Sequence, residues 1–113
     1  MKRDKNITMN LSSNHKKLID EKAEYLNLNT SDYLLSLNKL VKLDEDTMFN
    51  IKEFSKIELT VPRDCRLSVR INENEKEKLL QNIKQIGDIN QTDFLISLGL
   101  LAEVKIKINS KMK

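Results

Sequence analysis

Few residues of this chain could carry out covalent or metal chemistry. Its only cysteine is Cys65 and its only histidine is His15, and together they are too few ligands for a metal site. Nothing near Cys65 in the sequence would stabilise a thiolate, and the polar segment around His15 is typical of a solvent-exposed side chain. A metal-assisted tyrosine nucleophile would need a histidine cluster, so we expect Tyr25 and Tyr33 in the core or at a helix interface.

The common catalytic motifs are also absent from the sequence. There is no glycine-rich phosphate loop, no pair of catalytic carboxylates and no recognisable spacing of a catalytic triad. We therefore expect that the chain is not an enzyme, and that it binds no cofactor and no metal.

The composition favours a small helical domain without a membrane segment. The chain has 113 residues, of which 39% are hydrophobic and 33% charged, with only two glycines and one proline. So few turn-forming residues disfavour a β-sandwich or a barrel. No run of about 18 apolar residues could cross a membrane, and the charged start is unlike a signal peptide, so we expect a cytoplasmic protein. The net charge of +3 says little about partners.

A segment of about forty residues occurs twice in the sequence. Residues 29–40 align with residues 90–101, and residues 7–12 align with residues 67–72. The identical positions in the longer alignment pair Asn29 with Asn90, Asp32 with Asp93, Leu34 with Leu95, Ser36 with Ser97, Leu37 with Leu98 and Leu40 with Leu101. Two copies indicate a duplication rather than a repeat array.

Each copy begins with a predicted strand. Apolar and polar residues alternate strictly there, which is typical of a strand with one face on a core and one face in water. The apolar positions are Ile7, Met9 and Leu11 in the first copy, and Leu67, Val69 and Ile71 in the second.

Two helices are predicted after each strand. Polar residues at 12–14 and 72–75 cap the first helices, whose apolar residues recur at spacings of three and four. These stripes consist of Leu18, Ile19, Ala23, Tyr25 and Leu26, and of Leu79, Leu80, Ile83 and Ile86. The second helices begin at a cap formed by Thr30 and Ser31, or by Gln91 and Thr92, with Asp32 or Asp93 in the first turn. They are more apolar, and we expect them to be the most buried elements.

The remaining segments are a linker at 43–65 and a tail at 104–113. Apolar residues alternate in both segments, so we predict a short strand in each, and the two could pair as an auxiliary ribbon. The alternating residues are Ile57, Leu59 and Val61 in the linker, and Val104, Ile106 and Ile108 in the tail. The two repeated units then occupy residues 6–42 and 66–103.

The sequence resembles the ribbon-helix-helix family, the Arc/MetJ/CopG-like DNA-binding proteins. Segments 66–72 and 92–98 carry the resemblance, and the weaker copy lies at 7–12 and 31–37. The resemblance implies a mainly α fold with a short antiparallel β-ribbon, in which two tandem β-α-α units form a pseudo-dimer. The first copy departs from the pattern because it has Asn10 where the second has Arg70, which puts a symmetric DNA site in doubt.

The resemblance also implies sequence-specific binding of double-stranded DNA, since the ribbon of this family enters the major groove. Arginine can donate to guanine O6 and N7, and asparagine can pair with adenine N6 and N7. The implied base contacts are Asn6, Thr8, Asn10, Arg66, Ser68 and Arg70. The implied phosphate contacts are Thr30, Ser31, Gln91 and Thr92 at the starts of the second helices, with Lys16 and Lys17 in addition.

The tandem arrangement is similar to TraY-like relaxosome accessory proteins, and the second copy is similar to MobC-type mobilisation proteins. This similarity implies a role at an origin of transfer of a plasmid or conjugative element, with a relaxase as partner and self-association on DNA. A transcriptional repressor that regulates its own plasmid or phage operon is the alternative. An antitoxin or protein-interaction module ranks last because the tail is short. The sequence leaves open whether the ribbon forms within one chain or between chains.

Overall fold

Five helices and one two-stranded antiparallel sheet make up residues 2–102, the part of the chain that the computed structural model describes. The elements in chain order are β1 (Lys5–Leu11), α1 (Ser13–Tyr25), α2 (Thr30–Leu40), α3 (Glu45–Glu58), β2 (Cys65–Ile71), α4 (Glu73–Ile86) and α5 (Gln91–Leu101). The expectation of a mainly helical fold with a short antiparallel ribbon is confirmed. None of the helices in the described range has the length and apolar content needed to span a bilayer.

The two strands form the ribbon that their alternating sequences predict. β1 and β2 pair antiparallel along their whole length, from Lys5 opposite Ile71 to Leu11 opposite Cys65. At the centre of the ribbon Thr8 lies opposite Ser68. The six inward residues from Ile7 to Leu11 and from Leu67 to Ile71 are buried, whereas the outward ones are exposed. An isolated two-stranded ribbon is at best marginally stable in water, so the helices beneath the apolar face must supply most of its stability.

The helices begin at polar N-cap residues, as the sequence indicates, but two of the predicted caps are wrong by one position. The N-cap of α2 is Asn29 rather than Thr30 or Ser31, and its side-chain oxygen accepts from the N–H of Asp32 at 2.7 Å. Likewise, Asn90 rather than Gln91 or Thr92 caps α5. An asparagine oxygen satisfies a first-turn N–H that would otherwise lack a partner, which is why the helix starts there.

The second helices of the two copies are the most buried, as predicted. In α5 six consecutive residues, from Phe94 to Gly99, are buried. The first helices present a narrower apolar face than the sequence predicts, because Leu18 and Leu80 are 47% and 49% exposed. Both neighbour a buried residue in sequence, and successive helical residues point about 100° apart.

The linker contains a helix, so the prediction of a strand at Ile57, Leu59 and Val61 is wrong. Asp44 caps α3 and two acidic residues follow in its first turn, an arrangement that favours a helix start. α3 packs against α5, and its buried residue is Ile51. This packing overrides the local alternation of apolar residues. The predicted partner strand in the tail, at 104–108, lies outside the described residues.

Candidate nucleic-acid interface

Six polar side chains form one exposed face of the ribbon, which we call the polar face. The antiparallel register sets them in three cross-strand pairs: Asn6 with Arg70, Thr8 with Ser68 and Asn10 with Arg66. All six are exposed because the other face of each strand packs on the core. The structure therefore brings together every residue that the sequence analysis assigned to base contacts. Chemically, this face combines guanidinium donors, carboxamides that both donate and accept, and two hydroxyls.

Backbone carbonyls hold two arginines at the edges of this face. A guanidinium nitrogen of Arg70 donates to the carbonyl oxygen of Arg3 at 3.0 Å. Arg63 donates to the carbonyl oxygen of Leu59 at 3.0 Å and to that of Asn10 at 3.5 Å. A guanidinium carries five N–H donors, so one backbone bond leaves Arg70 with donors for another group.

The N-terminus of α2 opens into a polar depression beside the ribbon. This depression has a volume of about 270 Å³ and is lined by Arg3, Asn29, Thr30, Ser31 and Arg70. The first N–H groups of a helix lack intrahelical partners and lie at the positive end of its dipole. These N–H groups and the guanidinium of Arg70 favour an anion such as a phosphate at this end of α2, whereas Arg3 is already paired with carboxylates.

Arg3 ties the N-terminal segment to two helices. Its guanidinium pairs with Asp32 in the first turn of α2 and with Glu75 of α4, where the N–O distances are 2.7 and 3.0 Å. Burial raises the pKa of Glu75, but the hydrogen bonds from Arg3 and from the Asn72 N–H outweigh it, so this pKa lies below its ordinary value. The positive charge of Arg3 is thus largely matched by carboxylates.

A second arginine occupies the corresponding place before β2. Arg63 pairs with Asp93 in the first turn of α5, with an N–O distance of 2.9 Å. Ser55 of α3 donates to the same carboxylate at 3.2 Å. The sequence analysis missed both Arg3 and Arg63, although a signal was available, since each stands two residues before its strand.

The side chains of the remaining candidates are less suited to a phosphate. Lys16 pairs with Asp20 at 2.9 Å, and Lys17 shares a surface depression with Asp20, Glu21 and Glu24. These carboxylates would repel a phosphate. Gln91 and Thr92 at the start of α5 are half-buried. The structure places Thr30 and Ser31 beside the ribbon, and the Thr30 hydroxyl donates to Asp20 at 2.6 Å.

The chain matches no protein-family model, no curated protein and no solved structure. Within residues 2–102, no group of three or more His, Cys, Asp or Glu side chains is placed to hold a metal ion.

Proposed function

We propose that this chain is a sequence-specific DNA-binding protein of the ribbon-helix-helix type, in which units 6–42 and 66–103 form a pseudo-dimer within one chain. One observation carries the proposal: the ribbon buries six apolar side chains of its inner face, and its polar face consists of groups that can pair with base edges. Thr8 and Ser68 keep a hydroxyl at the same position of both copies, whereas Asn6 and Asn10 are replaced by Arg66 and Arg70 in the second copy, and all six groups can pair with base edges.

The ribbon register supports the pseudo-dimer. Thr8 and Ser68 occupy corresponding positions in the two copies, and they lie directly opposite each other. A two-fold axis through the centre of the ribbon produces this relation, because such an axis exchanges the two strands. The ion pairs Arg3–Asp32 and Arg63–Asp93 repeat in the same sense.

The helix contacts between units are also reciprocal. In α1, the Lys22 ammonium donates to the carbonyl oxygens of Leu100 and Ala102 at the end of α5, at 2.8 and 2.7 Å. In α4, the Asn82 amide donates to the carbonyl oxygen of Asn38 near the end of α2, at 2.9 Å. Carbonyls in the last turn of a helix lack intrahelical partners. The first helix of each unit therefore donates hydrogen bonds to carbonyl oxygens at the end of the other unit's second helix, as expected of interlocked units.

The dimensions of the ribbon suit the major groove. This groove is about 12 Å wide and admits a two-stranded ribbon. With the polar face against the base edges, the start of α2 and the guanidinium of Arg70 lie beside the ribbon, where a backbone phosphate would sit. Base contacts would then set specificity, and the α2 contact would set position.

Within this proposal, we assign the protein to a relaxosome, where it would bind at an origin of transfer and position a relaxase. The tandem arrangement of the two units favours this role over that of a repressor, by analogy with TraY-like and MobC-type proteins. A fold alone does not fix a function, so the role needs a direct test.

The test is recovery of bound DNA. The full chain would be incubated with sheared DNA from its own source at about 0.15 M salt, which weakens non-specific binding, and bound fragments would be sequenced. Sharp enrichment beside a nick site or a relaxase gene supports the relaxosome role, whereas enrichment over a promoter alone supports the repressor. No enrichment would overturn the DNA-binding proposal.

Two variants separate base reading from charge. Arg70→Ala removes a base contact, and we expect it to weaken binding to the enriched fragments by roughly tenfold or more and to relax one base position. Lys84→Ala removes the same charge from an exposed position in the last turn of α4, and it should leave specificity unchanged. Equal behaviour of the two variants would remove Arg70 from the polar face's contacts.

A further inference from the structure

We infer that the protein binds DNA in a single orientation, on a site without two-fold symmetry, with β1 facing adenines of one DNA strand and β2 facing guanines of the other. The inference rests on the proposed DNA binding and deepens it. It comes from the distribution of side chains over the polar face.

The chemistry of the polar face is segregated by strand. Both carboxamides, Asn6 and Asn10, are on β1, and both guanidinium groups, Arg66 and Arg70, are on β2. A rotation of 180° about the central Thr8–Ser68 pair would therefore exchange every carboxamide for a guanidinium. The backbone register of the ribbon is nearly two-fold symmetric, but the side chains of its outer face are not.

Because of the dimensions of the groove, each β-strand of the ribbon would contact the bases of only one DNA strand. A seven-residue strand is about 23 Å long, so it cannot lie across a groove about 12 Å wide and must run along it. Neighbouring strands lie about 4.8 Å apart. β1 thus follows the bases of one DNA strand and β2 those of the other. At both ends of the ribbon, a carboxamide of β1 lies opposite a guanidinium of β2.

Reversal of the protein on its site would be unfavourable at four positions. A guanidinium has only donors, which suit the two acceptors of guanine, whereas adenine presents an amino donor beside its acceptor. In the reversed complex Arg66 and Arg70 would meet those amino groups. Each mismatched position is expected to reduce affinity by roughly tenfold or more.

The surroundings of the ribbon differ in the same sense. The start of α2 is bordered by the guanidinium groups of Arg3 and Arg70. At the start of α5, Ser55 of α3 and Arg63 reach the first-turn carboxylate of Asp93. The two flanks of a bound duplex would therefore meet different surfaces.

The first test is selection of sites from a pool of randomised DNA duplexes with the full chain. We expect the enriched site to be non-palindromic, with adenines on one strand and guanines on the other. An enriched palindrome would overturn the inference and leave the proposed DNA binding intact. A failure to enrich any site would overturn the proposed function itself, so the two failures are distinguishable.

The second test measures orientation directly on the selected duplex. Asn14 and Asn74 are exposed and occupy corresponding positions in α1 and α4. Asn14→Cys and Asn74→Cys, each combined with Cys65→Ser to remove the native thiol, would carry an iron–EDTA group that cleaves nearby DNA. Each variant should cleave one flank of the site, and the two variants should cleave opposite flanks. Equal cleavage of both flanks by either variant would overturn the inference.

A symmetrised ribbon provides the matched control. The double variant Asn6→Arg/Asn10→Arg places guanidinium groups on both strands at exposed positions, so the side chains of the polar face become nearly two-fold symmetric. In the same cysteine backgrounds, it should select a palindromic site with guanines on both strands and cleave both of its flanks. Continued single-flank cleavage would show that the polar face does not set the orientation.

Discussion

At the scale of single residues, the Tyr33 hydroxyl is the clearest case of a buried polar group with one partner. It donates to the carbonyl oxygen of Gly99 at 2.8 Å, between α2 and α5, and the residue is only 1% exposed. Tyr33→Phe would leave that carbonyl without its donor, so we expect the free energy of unfolding to fall by about 1–2 kcal/mol. Urea denaturation measures it. Tyr25→Phe, at a half-buried position, is the control and should change it by less than about 0.5 kcal/mol.

Tyr33 also predicts a loss of stability at high pH. Burial raises its pKa from 10 to about 12, so between these values the unfolded chain releases a proton that the folded chain retains. This stabilising effect of the buried hydroxyl is complete below pH 10. Above pH 10 the free energy of unfolding should fall by up to about 1.4 kcal/mol per pH unit. Comparison of urea denaturation of the parent chain and Tyr33→Phe from pH 9 to 11 isolates this effect. Parallel pH curves would contradict it.

The ion pairs of Arg3 with Asp32 and Glu75 predict a loss of stability at low pH. The pKa of Glu75 lies below its ordinary 4.5, so its contribution is present above that value and is lost as the pH falls through the lowered pKa. Arg3→Gln should lower stability at pH 7 by roughly 1 kcal/mol, since the pair is partly solvated, and should flatten the loss below pH 4.5. Lys5→Gln, which affects a half-exposed ion pair with Glu73 at 3.7 Å, should do neither.

At the scale of secondary-structure elements, local patterns predicted the ribbon and the four helices that follow its strands. Period-two alternation depends only on residues that are adjacent in sequence, and it correctly placed the six residues of the polar face on one side of the ribbon. α3 was missed because the apolar alternation at 57–61 indicated a strand, although Asp44 and the two acidic residues after it are a local start signal for a helix. The Arg3–Asp32 and Arg63–Asp93 pairs join residues distant in sequence, so only a comparison of the two copies could have indicated them.

Gly99 permits the close approach of α5 to α1 and α2. A Cβ atom there would lie 2.8 Å from Leu34 Cδ2 and 3.2 Å from Ile19 Cγ1, and both neighbours are fully buried. Alanine favours a helix over glycine by about 1 kcal/mol, but overpacking a core costs about 1–3 kcal/mol. Gly99→Ala should therefore destabilise the protein by roughly 1 kcal/mol in thermal or urea unfolding. A stabilised variant would show that the three helices can separate without cost.

The role of α3 in the fold can be tested through Ile51, which is 1% exposed. Ile51→Ala should lower the free energy of unfolding by about 2–4 kcal/mol, because it removes buried methyl groups and leaves a cavity. Phe49→Ala is the control on the same helix, since Phe49 is 62% exposed and should change stability little. Equal, small effects of both variants would show that α3 does not pack on the core.

At the scale of the whole molecule, the pairing of β1 with β2 within one chain predicts a monomer. The segment that connects the two strands contains α1, α2 and α3, so one chain supplies both strands of the ribbon. The apolar face of the ribbon is already buried by this chain's own helices. Sedimentation equilibrium at low micromolar concentration should therefore give 13.2 kDa, and a concentration-dependent shift to twice that mass would mean that strands pair between chains.

A cross-link across the ribbon gives the sharper form of this prediction. Thr8 and Ser68 are exposed and directly opposed, and opposed Cβ atoms in an antiparallel pair lie about 4.5–5.5 Å apart, close to what a disulfide requires. The variant Thr8→Cys/Ser68→Cys, with Cys65→Ser, should oxidise to a disulfide within one chain. On a non-reducing gel it should run as a compact monomer at every protein concentration, because closure within one chain does not depend on encounter. Covalent dimers as the main product would instead place β1 and β2 of the ribbon in different chains, in an exchanged dimer with two ribbons.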